Sequence, residues 1–501
     1  MNTTPATTVA PVSRATYMGV FGLMLGMFLA MLDGLIVGTA LPTITGELGG
    51  LSHLSWVVTS YLLATAATTP LWGKLGDLYG RKGAFMISVG IFLAGSALAG
   101  VSRDIGQLIA FRAVQGVGAG GLMVGALAII GVLVPPRRSG TVQSMIGIMM
   151  PVAFVGGPLL GGLLTEQLSW RWTFYVNVPI GALALLVVGL MIRLPEQERV
   201  RARIDWLGAA LLTAGILALT LVTSWGGTAY AWDSPRILLL SAVAVACLAG
   251  FVRAERRAAE PVIPPRLFHD RNFTLAQVLS FASGAVMMGV TAYLPQYMQF
   301  VLGVTPTASG MLLMPLMFGM LGAQLTAGRL ITRSGRYRWC AILGGGVLTV
   351  GVLALTVLDV GTGTGLASGL SVLTGVGIGL LTQSSVLITM NSADPRDMGA
   401  AGGTVTLMRT IGGSLGISLL GAVFGARMGA GLADRLGPGE AARMAGGGGL
   451  TPELMATMGE TVRASVAEAV TSGLHGVLVG AAILGAIAFT AAWFVRNVPL
   501  R

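Results

Sequence analysis

Long apolar runs separated by short polar segments make up most of the chain from residue 16 onward. A helix needs about 20 apolar residues to cross roughly 30 Å of hydrocarbon. Helices are the expected form, because backbone polar groups in lipid must be satisfied within the segment and the period-2 pattern of a membrane barrel is absent. The runs predict fourteen spans, at 16–40, 53–73, 84–102, 106–131, 141–164, 173–193, 204–225, 235–253, 273–299, 308–331, 338–358, 365–390, 400–425 and 475–496.

Arginine and lysine collect in every second connection between these runs. The short connections on the other side hold only Arg103, Arg171 and Arg236. Cytoplasmic loops carry such a basic excess, so both termini are predicted to be cytoplasmic and the number of spans even. The long segment 427–472 is predicted to be an extracytoplasmic loop. Within it, a helix should start near Thr451 and continue to about Ala469, lying on the outer face or, alternatively, binding a partner.

Short strings recur in the same order at the two ends of the chain. Gly73-Lys-Leu75 corresponds to Gly328-Arg-Leu330, and Gly116-Val-Gly118-Ala-Gly120 corresponds to Gly375-Val-Gly377-Ile-Gly379. This repeat predicts two six-helix bundles, residues 1–195 and 261–501, with two inserted helices in 196–260. Transporters built from parallel repeats bind their substrate near the midplane between the two halves. The predicted fold is therefore an all-α polytopic membrane protein that works by alternating access.

Composition supports a membrane protein, since 54% of the residues are hydrophobic and only 10% are charged. Soluble domains carry roughly 25% charged residues. The net charge of +11 does not indicate nucleic-acid binding, because the basic residues are spread over the connections. Cys247 and Cys340 suggest neither a disulfide nor a metal site. The three histidines are isolated, so we predict no metal, no cofactor and no enzymatic activity.

Two charged residues lie deep within predicted spans, where charge is costly and usually functional. Asp33 in the first span and Arg112 in the fourth are each roughly 10 Å from the outer end, at 1.5 Å per residue. Equal depth allows them to pair. The guanidinium would favour an ionised carboxylate and burial a protonated one, so the pair could load and release a proton. A static buried ion pair is the alternative.

Two glycine-containing strings are predicted to control conformational change. In the connection 73–83, glycines permit a tight turn, and Asp77 could accept N–H groups at the start of a neighbouring helix, latching the halves when the inner side is closed. A glycine-proline string in the fifth span would form a kinked hinge, with a simple packing surface as the alternative. The residues assigned to this role are Gly73, Asp77, Gly80, Arg81, Lys82, Gly157, Pro158, Gly161 and Gly162.

Several polar residues within spans could line a substrate cavity. They are Gln115, Tyr293, Gln296, Gln324, Gln383 and Arg409. For the uncharged members, a satisfied interhelical hydrogen bond is an equally good interpretation. Arg409 could either face the cavity or extend to the inner surface.

Taken together, these strings resemble the major facilitator superfamily, and specifically its fourteen-helix drug/proton antiporter branch. The connection 73–83 is similar to the signature loop of the superfamily, Leu32–Pro42 to the helix-1 motif of the branch, and Arg112 with Gln115 to the motif assigned to proton coupling. Gly156–Gly162 resembles the antiporter motif, and Ser169–Gly181 is the most branch-specific match.

The resemblance implies a monomer in the bacterial cytoplasmic membrane that exports amphipathic drugs in exchange for protons. The proton gradient would take the place of a cofactor, and lipid would surround the protein. A dedicated exporter of an endogenous metabolite or lipid is the main alternative. A nutrient uniporter or importer fits the glycine-proline string less well, and a membrane enzyme lacks a cluster of reactive residues.

Overall fold

The computed structural model describes residues 14–48, 54–134, 159–194, 205–226, 230–258, 260–304, 306–437 and 459–499, with isolated positions between 145 and 157 and at 439. These residues form helices and no β-strand. The long helices are α1 (Arg14–Leu48), α2 (Leu54–Tyr79), α3 (Arg81–Gly100), α4 (Ile105–Leu133), α5 (159–167), α6 (Asn177–Met191), α7 (Trp206–Trp225), α8 (Pro235–Glu255), α9 (Arg271–Phe300), α10 (Met314–Ser334), α11 (Arg338–Leu355), α12 (Thr364–Ser392), α13 (Met398–Leu436) and α14 (Glu460–Trp493).

Each predicted span corresponds to one of these helices. Twelve helices of the described residues are long and apolar enough to cross a membrane. Helix α2, which has 26 residues with Pro70 inside it, is more polar and is not one of these twelve. The span predicted at 141–164 lies partly outside the described residues, and its described positions are helical. We call the end of the bundle where α2 meets α3 the inner end, because it is the predicted cytoplasmic side.

Equivalent glycines pack the same helices together in the two halves, which confirms the internal repeat. A Cβ on Gly116 or Gly120 of α4 would run into α2 at the carbonyls of Tyr61 and Thr65. In the second half, Gly375 and Gly379 of α12 meet α10 at the carbonyls of Leu316 and Met320. In the same way, Gly118 of α4 packs against α3, and its equivalent Gly377 of α12 packs against α11. Small residues let helices in lipid approach this closely.

The buried apolar residues also divide along the chain. One large cluster draws only on residues between Ala276 and Val495, from α9 to α14. Two smaller clusters draw on α1 to α6 and their connections, apart from Met390, which packs at the edge of one. The division into bundles 1–195 and 261–501 remains a prediction, since these clusters do not fix its boundaries.

The inserted helices α7 and α8 pack together and contact both halves. Their cluster includes Leu212 and Ile216 of α7, Ala66 of α2 and Leu407 of α13. At the outer end, Trp225 meets Trp56 of α2 edge-on. At the other side of the interface, the Ser418 hydroxyl of α13 donates to the carbonyl of Thr223, 2.8 Å away. The insert therefore lies along the junction between the halves.

The segment 427–472, predicted to be a loop, is helical at both ends: α13 continues to Leu436 and α14 already begins at Glu460. Ala469, the predicted end of a surface helix, lies within α14, and the predicted start of that helix at Thr451 lies outside the described residues. Arg435 pairs with Glu468 at 2.6 Å, and Gly431 packs on Ala469. With 39 and 34 residues, the two helices exceed the roughly 20 needed for a span and project beyond the outer end as a hairpin.

Candidate functional site

The Asp33 carboxylate of α1 lies in a closed polar site inside the first half. One oxygen, Oδ2, accepts a hydrogen bond from Arg112 Nη1 at 2.5 Å. The other, Oδ1, accepts from Gln115 Nε2 and Asn177 Nδ2, both at 2.8 Å. All four side chains are fully buried. The predicted pairing of Asp33 with Arg112 is thus observed, although its role in proton coupling remains a prediction.

Arg112 is held by several groups besides the carboxylate. Its Nη1 also donates to Gln115 Oε1 at 2.7 Å, and its Nε donates to the carbonyl of Val57 at 3.2 Å. The guanidinium lies 4.1 Å from the centre of the Tyr61 ring, whose hydroxyl donates to the carbonyl of Ala30. A buried ion pair is tolerated only when its remaining polar atoms are satisfied in this way.

Sequence reasoning missed three members of this site. Asn177 stands at the start of α6, and Ser96 of α3 accepts from both Asn177 and Gln115 while its own hydroxyl donates to the carbonyl of Phe174. Tyr61 provides the aromatic face. The branch-specific string Ser169–Gly181 contained Asn177, so that string was the available signal. Gln115, predicted to line the substrate cavity, is fully buried and bonds to Asp33, and its contact with substrate remains a prediction.

The second half has no equivalent of this site. The repeat also pairs Leu41-Pro42 of α1 with Leu294-Pro295 of α9, so that Asp33 corresponds to Val286. The glycine strings of α4 and α12 likewise pair Arg112 with Ser371 and Gln115 with Thr374. Valine, serine and threonine side chains are uncharged, so these three positions cannot form a buried ion pair like that of Asp33 with Arg112. Any proton chemistry by this arrangement is therefore confined to the first half.

At the inner end, α2 contacts the start of α13 and so joins the two halves. Asp77 Oδ1 accepts from the N–H of Gly399 at 3.1 Å, and Oδ2 accepts from the N–H of Ala400 at 3.0 Å. Arg81 bonds to Asp77 and also donates to the carbonyl of Pro395 at 2.7 Å. The predicted contact of Asp77 with N–H groups at a helix start is present, in an arrangement closed at the inner end.

The other residues of the connection 73–83 have different surroundings. A Cβ on Gly73 would lie 2.5 Å from the carbonyl oxygen of Gly399. Gly80 has φ +106°, a backbone conformation that favours glycine, and forms the turn between α2 and α3. Lys82 donates to the carbonyls of Gly189 and Ile192 at the end of α6. Its contacts therefore stay within the first half rather than bridging the two.

The glycine-proline string 156–162 leads into α5, and one of its described residues, Gly157, lies against α1. A Cβ on Gly157 would lie 2.8 Å from Leu35 Cβ, two residues from Asp33. Gly161 is buried and its carbonyl accepts from the Thr165 hydroxyl, while Gly162 has open space around it. Pro158 lies outside the residues whose side chains are described. The hinge role of this string remains a prediction.

The predicted cavity residues of the second half are mostly packed between helices. Tyr293 donates to the carbonyl of Ile417 and stacks on Phe424 at 5.0 Å. Gln324 and Gln383 are 6% and 3% exposed. Gln296 is partly buried. Arg409 is partly buried as well, and its Cγ contacts α9 at Gly284.

Two ion pairs connect the segment between α8 and α9 to the halves. Lys74 Nζ of α2 lies 2.8 Å from Glu260 Oε2, and Arg266 pairs with Asp397 ahead of α13 at 2.9 Å. At the opposite end, Glu47 pairs with Arg171 at 2.6 Å. Hydrogen bonds from Arg171 and Trp170 hold the pKa of Glu47 below its ordinary value.

Comparison with known proteins places this geometry in a family context. Residues 23–417 match the Major Facilitator Superfamily profile. Multidrug transporter protein MdtP of Bacillus subtilis is 37% identical over 83% of this chain and 77% of its own length. Multidrug resistance protein 3 of the same species is 35% identical over 81% and 78%. The acurin A biosynthesis cluster MFS-type transporter of Aspergillus aculeatus is 35% identical over 79% and 73%.

Solved structures have the same fold at low sequence identity. The proton:xylose symporter XylE superposes with a TM-score of 0.60 at 13% identity, covering 98% of each chain. The human organic anion transporter MFSD10 gives a TM-score of 0.61 at 14% identity, covering 94% of this chain and 99% of its own. At such identities the likeness concerns the fold alone.

Proposed function

Because this chain belongs to the major facilitator superfamily, we propose that it exports amphipathic small molecules across a bacterial cytoplasmic membrane in exchange for protons. The observation that carries this proposal is the Asp33 site. Every other carboxylate of the sequence lies in a connection, near a helix end or in the projecting α13–α14 hairpin. Asp33 is thus the single acid positioned to carry a proton through the membrane.

Asp33 acts as the proton carrier and Arg112 as its modulator. In the closed site, three donor contacts reach the fully buried carboxylate. Opening the site to water from one side changes both these contacts and the burial, so the carboxylate can take up a proton on one side and lose it on the other. The contact of Asp77 with α13 holds the inner end closed during one half of this cycle.

The two halves rock against each other around the substrate, with both chain termini in the cytoplasm and one chain sufficient for transport. The basic residues at the inner connections support this orientation. The relatives named as multidrug transporters favour a broad set of drugs as cargo. A relative named for a biosynthesis cluster favours the second candidate, export of a single endogenous metabolite or lipid.

The proposal is tested by reconstitution in liposomes with an imposed pH gradient and the dye rhodamine 6G. We expect Asp33→Asn to abolish gradient-driven accumulation while it retains dye exchange without a gradient, because amide replacement removes the titrating group and keeps the shape. Retained exchange also shows that the variant is folded. The matched control is Asp104→Asn, since Asp104 caps α4 at its exposed start and asparagine caps equally well.

Gradient-driven accumulation by Asp33→Asn at the wild-type rate would remove Asp33 from the mechanism. A panel of lipophilic drugs and cell extracts in the same liposomes separates the two candidate functions. Many accepted compounds indicate a multidrug pump, and one accepted compound indicates a dedicated exporter.

A further inference from the structure

Arg409 of α13 is a partly buried charge, far from either end of its helix, that the Asp33 site does not use. It lies eleven residues from the start of α13, or about 16 Å along the helix axis. About three helical turns therefore separate Arg409 from the inner end of α13. Its Cγ packs 3.0 Å from where a Cβ would stand on Gly284 of α9, so its stem is directed into the second half.

The charge of Arg409 is not compensated by the protein. Among the described residues, its guanidinium has no hydrogen-bond or ion-pair partner. The segment 135–158 cannot supply a counter-charge, because its sequence contains no acidic residue. Asp33, the one carboxylate deep in the bundle, is already paired with Arg112. Far from the ends of the described helices there are therefore two arginines, Arg112 and Arg409, and one acidic residue, Asp33.

A neighbouring polar group is also without a partner. The hydroxyl of Thr406, three residues earlier and so on the adjoining turn of α13, is buried and makes no hydrogen bond to any described residue. A guanidinium and a hydroxyl on adjoining turns suit an anion, because arginine can donate two parallel hydrogen bonds to a carboxylate or sulfonate.

We propose that Arg409, with Thr406, is the anion-binding subsite of the transport cavity, and that the cargo includes amphipathic acids. This proposal rests on the export function and specifies its substrate class. The acid supplies the negative charge that the middle of the second-half helices lacks, so it enters the bundle as an ion pair with Arg409. Its apolar part packs against the surrounding helices.

The test measures equilibrium binding of two xanthene dyes by fluorescence anisotropy, with purified full-length protein in nanodiscs of phosphatidylcholine. Fluorescein is anionic and rhodamine 6G is cationic on a similar ring system. We expect Arg409→Gln to weaken fluorescein binding about tenfold or more, and rhodamine 6G binding less than about twofold. Arg409→Lys keeps a point charge and should lose less than the glutamine variant. Arg396→Gln, at an exposed position before α13, is the matched control and should bind both dyes normally.

Unchanged fluorescein binding by Arg409→Gln overturns the proposal, as does equal loss of both dyes in the glutamine and lysine variants. Absence of fluorescein binding by the wild-type protein also overturns it. Displacement of fluorescein by added phosphatidylglycerol would assign the residue to a lipid headgroup instead. The assay uses no pH gradient, so it gives its answer even if gradient-driven export by the wild-type protein fails.

Discussion

Asp33 is stabilised as an ion by direct contacts that differ in kind. Arg112 supplies charge, whereas Gln115 and Asn177 supply neutral N–H donors to the same oxygen. Removing a neutral donor should leave the ion pair intact but weaken the hold on the carboxylate. The neutral donors therefore fix the position of the Asp33 side chain, while Arg112 supplies the opposite charge.

We expect Asn177→Ala to slow gradient-driven dye efflux several-fold, because it removes one of the two neutral donors to the buried Asp33 carboxylate. Ser96→Ala is the matched control, because Ser96 contacts Asn177 and Gln115 without touching Asp33, and its loss of rate should be smaller. An unchanged efflux rate in Asn177→Ala would show that Asn177 does not act on the carboxylate.

At the scale of elements, the contact at the inner end depends on α2 and α13 crossing at two glycines, Gly73 and Gly399, which have no side chains. Gly73 of α2 faces the main chain of Gly399, which cannot move aside as a flexible side chain could. The bonds of Asp77 to Gly399 and Ala400 form only at this short separation. The glycine and the aspartate therefore act as one contact.

Gly73→Ala should shift the protein toward arrangements open at the inner end. Spin labels at the exposed positions Tyr79 and Arg396 would report a longer distance between α2 and the start of α13. The control is Gly83→Ala in the same connection, where an added Cβ meets nothing within 4 Å. Identical distance distributions in the two variants would contradict the role assigned to Gly73.

At the scale of the whole molecule, the insert connects to the moving parts through a short segment after α8. Glu255 accepts from the N–H groups of Val262 and Ile263, which fixes the chain that presents Glu260 to Lys74. The insert is therefore tied to α2 through charge at the inner end, and to α13 through apolar packing.

We expect Lys74→Glu to slow dye efflux several-fold, because it places two carboxylates opposite each other. Adding Glu260→Lys should restore most of the rate by reversing the pair. Efflux from liposomes by the two single variants and the double variant forms a double-mutant cycle. A double variant as slow as the slower single variant would show that the pair does not couple the insert to α2.

The sequence predicted the number and order of helices, the repeat and the pairing of Asp33 with Arg112, because burial of charge and span length are strong constraints. It did not predict Asn177 or Ser96 beside Asp33. Helices that are apolar on every side show no hydrophobic periodicity, so their sequence does not indicate which residues face inward. For the same reason it did not predict that Gln115 bonds to Asp33. The ends of α13 and α14 were missed because their small and polar residues, such as Gly431 and Glu468, are also typical of loops.

Because α13 and α14 project beyond the bundle, a small rotation of the second half moves their outer ends a long way. Helix α13 runs unbroken for 39 residues, and the contact of Arg435 with Glu468 keeps its tip joined to α14. A tilt of about ten degrees would sweep the tip of such a helix through roughly 10 Å, given 1.5 Å per residue. An optical reporter fixed at the tip would thus record individual turnovers as large displacements, far outside the lipid.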